Sequence, residues 1–170
     1  NEPAEGLLAT LADLPGLGDT ALTADLRGPW SALAAKLSLT AGPLRAEASA
    51  TLDLPGERVV ADVSAEAPAM ALSLDLAWRA VAVKLHAEGP FAAPKLDGTV
   101  RVESLRAGGA DLALLTAEAR GDAGQVAATA RAEGLVLPGP FPNLLAAAPL
   151  VLEVNANLAA PGYPATLRLT

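Results

Sequence analysis

The residue types that most often carry catalysis are scarce in this sequence. There is no cysteine and only one histidine, His86, which excludes thiol chemistry, disulfides and metal sites built on cysteine or on several histidines. His86 stands between Lys84 and Glu88 in a segment of alternating polarity, which predicts a solvent-facing strand residue. We therefore predict no metal site and no cofactor.

The carboxylates are numerous but spread out along the chain. A close pair of them would suit general acid–base chemistry of the glycosidase type. Their positions, one or two in each alternating segment, instead favour a solubilising face with lysine and arginine partners on neighbouring strands. These residues are Glu47, Asp53, Asp62, Glu66, Asp75, Glu88, Glu103, Glu118, Glu133 and Glu153.

Two glycine-rich stretches, Gly108-Gly109 and Gly121-Asp122-Ala123-Gly124, lack the downstream Lys-Ser/Thr of a phosphate-binding loop. Both are predicted to be turns. With no nucleophile, base or ligand set in view, we predict that the chain is not an enzyme.

In the segments that carry these residues, apolar and polar side chains alternate with a period of two residues. From Leu44 to Leu54, every even position is Leu or Ala and every odd position is polar or charged. Strict alternation indicates a half-buried β-strand. This pattern outweighs the helix propensity of the abundant alanine.

The same alternation recurs along the chain and predicts about eleven strands joined by Gly- and Pro-containing turns. Short connections favour antiparallel neighbours, and one apolar face per strand is typical of an antiparallel sheet with one solvated side. A change of phase between Leu114 and Leu115 predicts a bulge. Short helices are predicted at Glu5 to Leu14 and at Pro142 to Ala148.

Composition narrows the possible partners. Hydrophobic residues make up 52% and charged residues 18%, so the chain has more apolar surface to cover than an ordinary soluble domain. The net charge of −7, without a basic cluster, excludes nucleic acid and gives no attraction to anionic headgroups. Four prolines interrupt the longest uncharged run, from Gly134 to Leu152, so no membrane-spanning helix is predicted.

A Gly-Pro-aromatic triplet occurs three times, at Gly28-Pro29-Trp30, Gly89-Pro90-Phe91 and Gly139-Pro140-Phe141. One interpretation is a strand break whose aromatic residue closes the turn. The other is a faint repeat, with units near 28–88, 89–138 and 139–170, in an elongated array. We expect residues 1–170 to be one interior piece of a longer repetitive β-domain.

The stretch from Glu88 to Gly109, EGPFAAPKLDGTVRVESLRAGG, resembles the repeat units of the TamB/AsmA-like family, the inner-membrane components of the translocation and assembly module. Pro94, Leu96 and Gly98 match the Pro-x-Leu-x-Gly element of those units, whereas Ser104-Leu105 replaces the usual Gly-Leu. The resemblance in style extends over essentially the whole chain.

The resemblance implies an elongated antiparallel sheet, curved into a U-shaped (β-taco) trough with an apolar interior. It also implies a periplasmic location in a Gram-negative bacterium, with the full-length protein anchored in the inner membrane and a TamA-type outer-membrane barrel as partner through parts outside this fragment. The implied function is to provide a hydrophobic groove for phospholipid acyl chains, to assist outer-membrane protein assembly, or both. A closed β-sandwich or adhesin-like structural repeat with no ligand is the alternative.

The apolar positions of the alternating segments are the predicted lining of this groove. They are Leu37, Leu39, Leu44, Leu52, Val59, Val63, Leu72, Leu74, Leu76, Val81, Val83, Leu85, Val100, Val102, Leu112, Leu114, Val126, Leu150, Leu152 and Val154.

Overall fold

A computed structural model describes residues 19–73, 75–157, 159 and 164–170 of the chain. Its regular elements are twelve β-strands. They are β1 (Thr20–Arg27), β2 (Leu33–Ala41), β3 (Leu44–Asp53), β4 (Arg58–Ala67), β5 (Met70–Ala71), β6 (Leu76–Trp78), β7 (Ala80–Pro90), β8 (Lys95–Ala107), β9 (Ala110–Gly121), β10 (Gln125–Glu133), β11 (Leu150–Asn157) and β12 (Ala165–Leu169).

All twelve strands belong to one antiparallel sheet. Ten of them lie side by side in the order β1-β2-β3-β4-β7-β8-β9-β10-β11-β12, and the sheet does not close, since β1 and β12 remain at its two ends. The prediction of an all-β, open antiparallel sheet is therefore confirmed, and the arrangement is consistent with a curved trough.

One predicted strand is divided. The alternation from Met70 to Trp78 is as regular as elsewhere, yet β4 pairs directly with β7, with Ala67 opposite Val81, and leaves no place between them for a nine-residue strand. The segment instead folds back as the β5–β6 hairpin, and β6 then pairs with the end of β8. The indole N–H of Trp78 donates to the carbonyl of Pro68 at 3.1 Å and fixes the hairpin against the end of β4.

The two predicted helices have different outcomes. Glu5 to Leu14 lies outside the described residues. Pro142 to Ala148 is not a helix but a series of turns, in which the N–H of Ala146 donates to the carbonyl of Asn143 at 3.1 Å. The run is short and lies between Phe141 and Pro149, and helix nucleation over so few residues is unfavourable.

The predicted bulge is also wrong. The pairing of β8 with β9 keeps one register throughout, with Val102 opposite Leu115 and Glu103 opposite Leu114, so no residue is inserted. The backbone irregularity lies on the neighbouring strand at Ser104, whose φ is 50°.

The glycines of the three Gly-Pro-aromatic triplets, Gly28, Gly89 and Gly139, adopt φ values of 111°, 133° and 133°. L-residues rarely adopt this conformation, which explains the glycine in each triplet. Gly28 and Gly89 lie where the strands end on the same side of the sheet, because β1 and β7 run in the same direction. Gly139 follows β10, which runs in the opposite direction. At these strand ends, the N–H of Phe91 donates to the carbonyl of Glu57 at 2.8 Å, which links the loop after β7 to the loop between β3 and β4.

Candidate functional site

The pairing register places apolar side chains of neighbouring strands opposite one another, so that they form rows across the whole sheet. Because side chains alternate between faces, residues in one row share a face. One row consists of Leu22, Leu39, Ala46, Ala65, Val83, Val100, Ala117, Ala130, Leu152 and Leu169. The next consists of Ala24, Leu37, Ala48, Val63, Leu85, Gly98, Ala119, Ala128, Val154 and Leu167.

Further rows flank these two on the same side, and together they form the surface that we call the apolar face. Towards one end of the strands lies a row with Leu44, Val81, Val102 and Leu150. Towards the other end lies a row that is mostly alanine: Leu26, Ala35, Ala50, Ala61, Ala87, Leu96, Gly121, Val126, Ala156 and Ala165. Leu52 and Val59 stand opposite each other beyond it.

Five predicted lining residues are not in these rows. Leu72 and Leu76 belong to the segment around the β5–β6 hairpin, and Leu74 lies outside the described residues. On β9, the register places Leu115 rather than Leu114 on the apolar face. Leu114 stands opposite Glu103 and Glu133, and Leu112 stands opposite Leu105 near the irregularity at Ser104.

No second layer of described residues covers the apolar face. Every described strand belongs to the single sheet, and no large side chain among the described residues is fully buried. On this face, Leu37 of β2 is 44% and Leu85 of β7 is 41% exposed to solvent. Within the described part of the chain, the face is therefore an open surface.

The size of this surface is unusual for a protein in water. Ten strands spaced ~4.8 Å apart extend over ~43 Å, and four rows separated by two residues each extend over ~20 Å. The footprint is therefore ~900 Å², whereas the largest exposed apolar patch of a typical monomer is ~300–600 Å². Among the described residues, the apolar face is therefore larger than the patch that a typical monomer exposes.

The opposite face carries a groove with a volume of about 1010 Å³. Seven strands, β1 to β4 and β7 to β9, each contribute three consecutive residues to its lining. In each triplet the outer two residues lie on the polar face and the middle one on the apolar face, so the groove runs between two polar rows. It differs in this respect from the predicted trough, whose interior is apolar. We call it the polar groove. Its charged residues are Asp25, Lys36, Glu47, Asp62, Lys84, Asp97, Glu118 and Arg120.

His86 lies in the polar groove, with 40% of its side chain exposed, as the alternation predicts. Its Nδ1 is 2.7 Å from Oδ1 of Asp62 on the adjacent strand, and its Nε2 is 3.9 Å from Oε2 of Glu88. The hydrogen bond to Asp62 raises the pKa of His86 above its usual value, against an opposing effect of desolvation. This arrangement is a cross-strand charge pair on a solvated surface.

A second ion-pair group lies where β6 and β7 meet β8. Glu103 accepts hydrogen bonds from Arg79 and Arg101, and these bonds lower the pKa of its carboxyl group. The pairing holds the chain at Arg79, the residue between β6 and β7, against β8. These contacts stabilise the irregular end of the sheet.

Within the described part of the chain, no three His, Cys, Asp or Glu side chains are grouped as metal ligands would be. Helices long and apolar enough to cross a membrane are likewise not found among those residues. The chain matches no protein-family model, no curated protein and no solved structure.

Proposed function

We propose that the apolar face binds the acyl chains of phospholipids and that this segment acts as a non-catalytic conduit for them. The observation that carries the proposal is the continuity of the apolar rows across ten strands, with no layer of described residues over them. A bound lipid would remove this surface from water, and each methylene taken from water stabilises the complex by ~0.8 kcal/mol.

The charge distribution favours contact through acyl chains rather than headgroups. The chain carries a net charge of −7, and most of its charged strand residues lie on the polar face, whereas the register puts the Arg106–Asp111 ion pair on the side of the apolar face, near the end of β8. A surface with this net charge does not attract anionic headgroups electrostatically. The proposal requires no cofactor and assigns no catalytic residue.

The resemblance to the TamB/AsmA-like family supplies the cellular setting of the proposal. In this setting the segment lies in the periplasm and the full-length protein is anchored in the inner membrane. Parts of that protein outside this fragment contact a TamA-type barrel in the outer membrane. Phospholipid transport between the membranes is the leading role. Help with outer-membrane protein assembly is compatible with the same surface.

The experiment is site-specific photo-crosslinking in the full chain, expressed in the periplasm of a Gram-negative host. A photoreactive residue at Val83 or at Leu152 lies on the apolar face and is expected to capture phospholipid. The same residue at Lys84 or at Glu153, one position away on the opposite face, is the matched control and is expected to capture none. Equal capture at all four positions, or none at any, contradicts the proposal.

The alternative, a closed β-sandwich, requires a second sheet packed on the apolar face. Because all described strands lie in one sheet, a sandwich needs its second sheet from elsewhere. Protein–protein crosslinks from Val83 and Leu152, in material free of lipid, would favour it.

A further inference from the structure

The apolar rows end beside a single pair of opposite charges. Of the charged residues in the described strands, the register puts only Arg106 of β8 and Asp111 of β9 on the side of the apolar face. The pair lies just beyond Val102 and Leu115, which face each other in the outermost apolar row. At this end of the strands, the apolar face therefore has a polar boundary.

A change of side on β8 and β9 accounts for this boundary. Leu105 faces Leu112, and each lies three residues beyond the last apolar residue of its strand, Val102 or Leu115. Because three is an odd number, these two leucines lie on the opposite side of the sheet. The change occurs at Ser104, whose φ is 50°, and the register is the same before and after it. Polar residues thus occupy the positions that continue the apolar rows.

A cavity with a volume of about 500 Å³ adjoins the charged pair. Its lining includes residues 104–106 of β8 and 111–113 of β9, and the outer two residues of each triplet lie on the side of the apolar face. Gly134 also lines the cavity, and a Cβ at this position would lie 2.8 Å from the Cβ of Ala113. The absence of a side chain at Gly134 therefore leaves this part of the cavity open.

The pair retains hydrogen-bonding capacity for a ligand. Nε of Arg106 donates to Oδ1 of Asp111 at 2.8 Å, and the two side chains are 59% and 53% exposed. Among the described residues, neither the Nη groups of Arg106 nor Oδ2 of Asp111 has a partner. A guanidinium donates from each of its nitrogens, and an ionised carboxylate accepts on both oxygens. The pair can therefore bind an anionic and a cationic group at the same time.

The dimensions suit a lipid whose chains lie along the strands. An acyl chain in one bilayer leaflet spans ~15 Å, half of the ~30 Å hydrocarbon core. The four apolar rows extend over ~20 Å along the strands. With its headgroup in the cavity, a lipid can lay its chains over these rows. The opposite end of the rows has no described strand residue of either charge on that side.

We propose that Arg106 and Asp111 bind the headgroup of a zwitterionic phospholipid with a primary ammonium group, such as phosphatidylethanolamine. The phosphate accepts hydrogen bonds from the Nη groups of Arg106, and the ammonium donates to Oδ2 of Asp111. The net charge of −7 gives no long-range attraction to an anionic headgroup, and a zwitterion needs none. The inference rests on the proposed function, since the headgroup belongs to the lipid whose chains the apolar face binds. The pair lies on interior strands, so nothing that adjoins the two ends of the sheet affects it.

The test is lipid capture by the purified full chain with a photoreactive residue at Val83. The vesicles contain equal parts of phosphatidylethanolamine and phosphatidylglycerol with the same acyl chains, and the masses of the crosslinked adducts give the ratio of the two lipids. Phosphatidylglycerol has the phosphate but no ammonium group. The wild type is expected to capture phosphatidylethanolamine in roughly fivefold excess, as for one exposed ion pair.

Two variants are expected to change this ratio in opposite directions. Asp111→Asn removes the partner of the ammonium group, so the excess of phosphatidylethanolamine is lost. Arg106→Gln removes the partner of the phosphate and leaves Asp111 to repel phosphatidylglycerol, so the excess increases. The matched controls are Glu133→Gln and Arg131→Gln, because these residues form an ion pair of 2.7 Å on the polar face and the substitutions change the net charge equally. Both controls are expected to keep the wild-type ratio.

The outcomes separate this inference from the proposed function. Equal capture of the two lipids by the wild type, or an excess of phosphatidylglycerol, overturns the headgroup assignment and leaves the acyl-chain proposal standing. A shift of Asp111→Asn and Arg106→Gln in the same direction also overturns it, since a local loss of structure would produce that result. Control variants that shift the ratio as much as the site variants overturn it as well. The absence of any lipid capture at Val83 refutes the proposed function and the headgroup assignment together.

Discussion

Replacing Val63 by arginine tests whether the apolar face is open. Val63 lies in the middle of β4, with Ala48 opposite it on one neighbouring strand and Leu85 on the other. It is partly buried, and no described element lies above it. An arginine at this position can lay its stem along the neighbouring side chains and extend its guanidinium into water.

The expected cost is small. Full burial of a valine side chain stabilises by ~1.5–3 kcal/mol, so the loss of a partly buried one costs about 1 kcal/mol. The lower strand propensity of arginine adds up to about 1 kcal/mol. For a chain of this size, each kcal/mol lowers the melting temperature by roughly 2–4 °C, which gives an expected decrease of about 2–8 °C.

A covered face gives a different result. An unpaired charge in a closed core costs several kcal/mol, which corresponds to a decrease of about 10 °C or more, or to failure to fold. Thermal denaturation followed by circular dichroism distinguishes the two outcomes. Ser64→Arg, one residue away on the polar face, is the matched control and is expected to stay within about 0.5 kcal/mol of the wild type. A decrease above about 10 °C for Val63→Arg, with Ser64→Arg unaffected, would refute an open face.

Three further predictions follow from the same structure. In an NMR titration, the midpoint for His86 is expected above its ordinary pKa of 6.5, and Asp62→Asn is expected to lower this midpoint. The stabilisation from the pair is therefore present below pH 6.5 and is lost as pH rises through the folded-state pKa. A midpoint that Asp62→Asn leaves unchanged would contradict the pairing. Gly28→Ala is expected to lower the free energy of unfolding, measured by urea denaturation, by about 3 kcal/mol, because φ is 111° and the new Cβ would lie 2.6 Å from the carbonyl oxygen of Ala32. Gly108→Ala is the control: φ is 57° and the space around it is open, so it is expected to lower the same free energy by about 1 kcal/mol. Ala61→Leu on the apolar face is expected to change the free energy of unfolding by less than about 1 kcal/mol, and a loss of 1–3 kcal/mol would indicate a packed layer above it.

The period of two was enough to predict ten of the strands, because in a one-layer sheet the face of each residue follows from its position alone. It failed from Met70 to Trp78, where the pattern is present but the direct pairing of β4 with β7 excludes a full strand. Whether an alternating segment joins a sheet depends on its neighbours. That is a tertiary property, which a single sequence does not contain.

Register limited the prediction of the site in the same way. The sequence identifies both Leu114 and Leu115 as apolar, and only the pairing with Val102 places Leu115 on the apolar face. The polar groove was missed for a related reason. Its lining comes from seven strands at matched heights, and no local pattern aligns Asp62 with His86 across two of them.

The alanine content has a physical reason in a one-layer sheet. Two packed sheets lie ~10 Å apart, and their inner side chains must fill that space. A row such as Ala35, Ala50, Ala61 and Ala87 is too short to reach an opposing sheet, and the chain has only five aromatic residues with which to compensate. On an open face there is no fixed gap to fill, and small side chains expose the least apolar area per residue while they leave room above the sheet. A flexible occupant such as the proposed acyl chain adapts its own shape to that room, whereas a second sheet fills it only if large side chains lie opposite the alanines. The composition is therefore compatible with the proposed mobile apolar ligand.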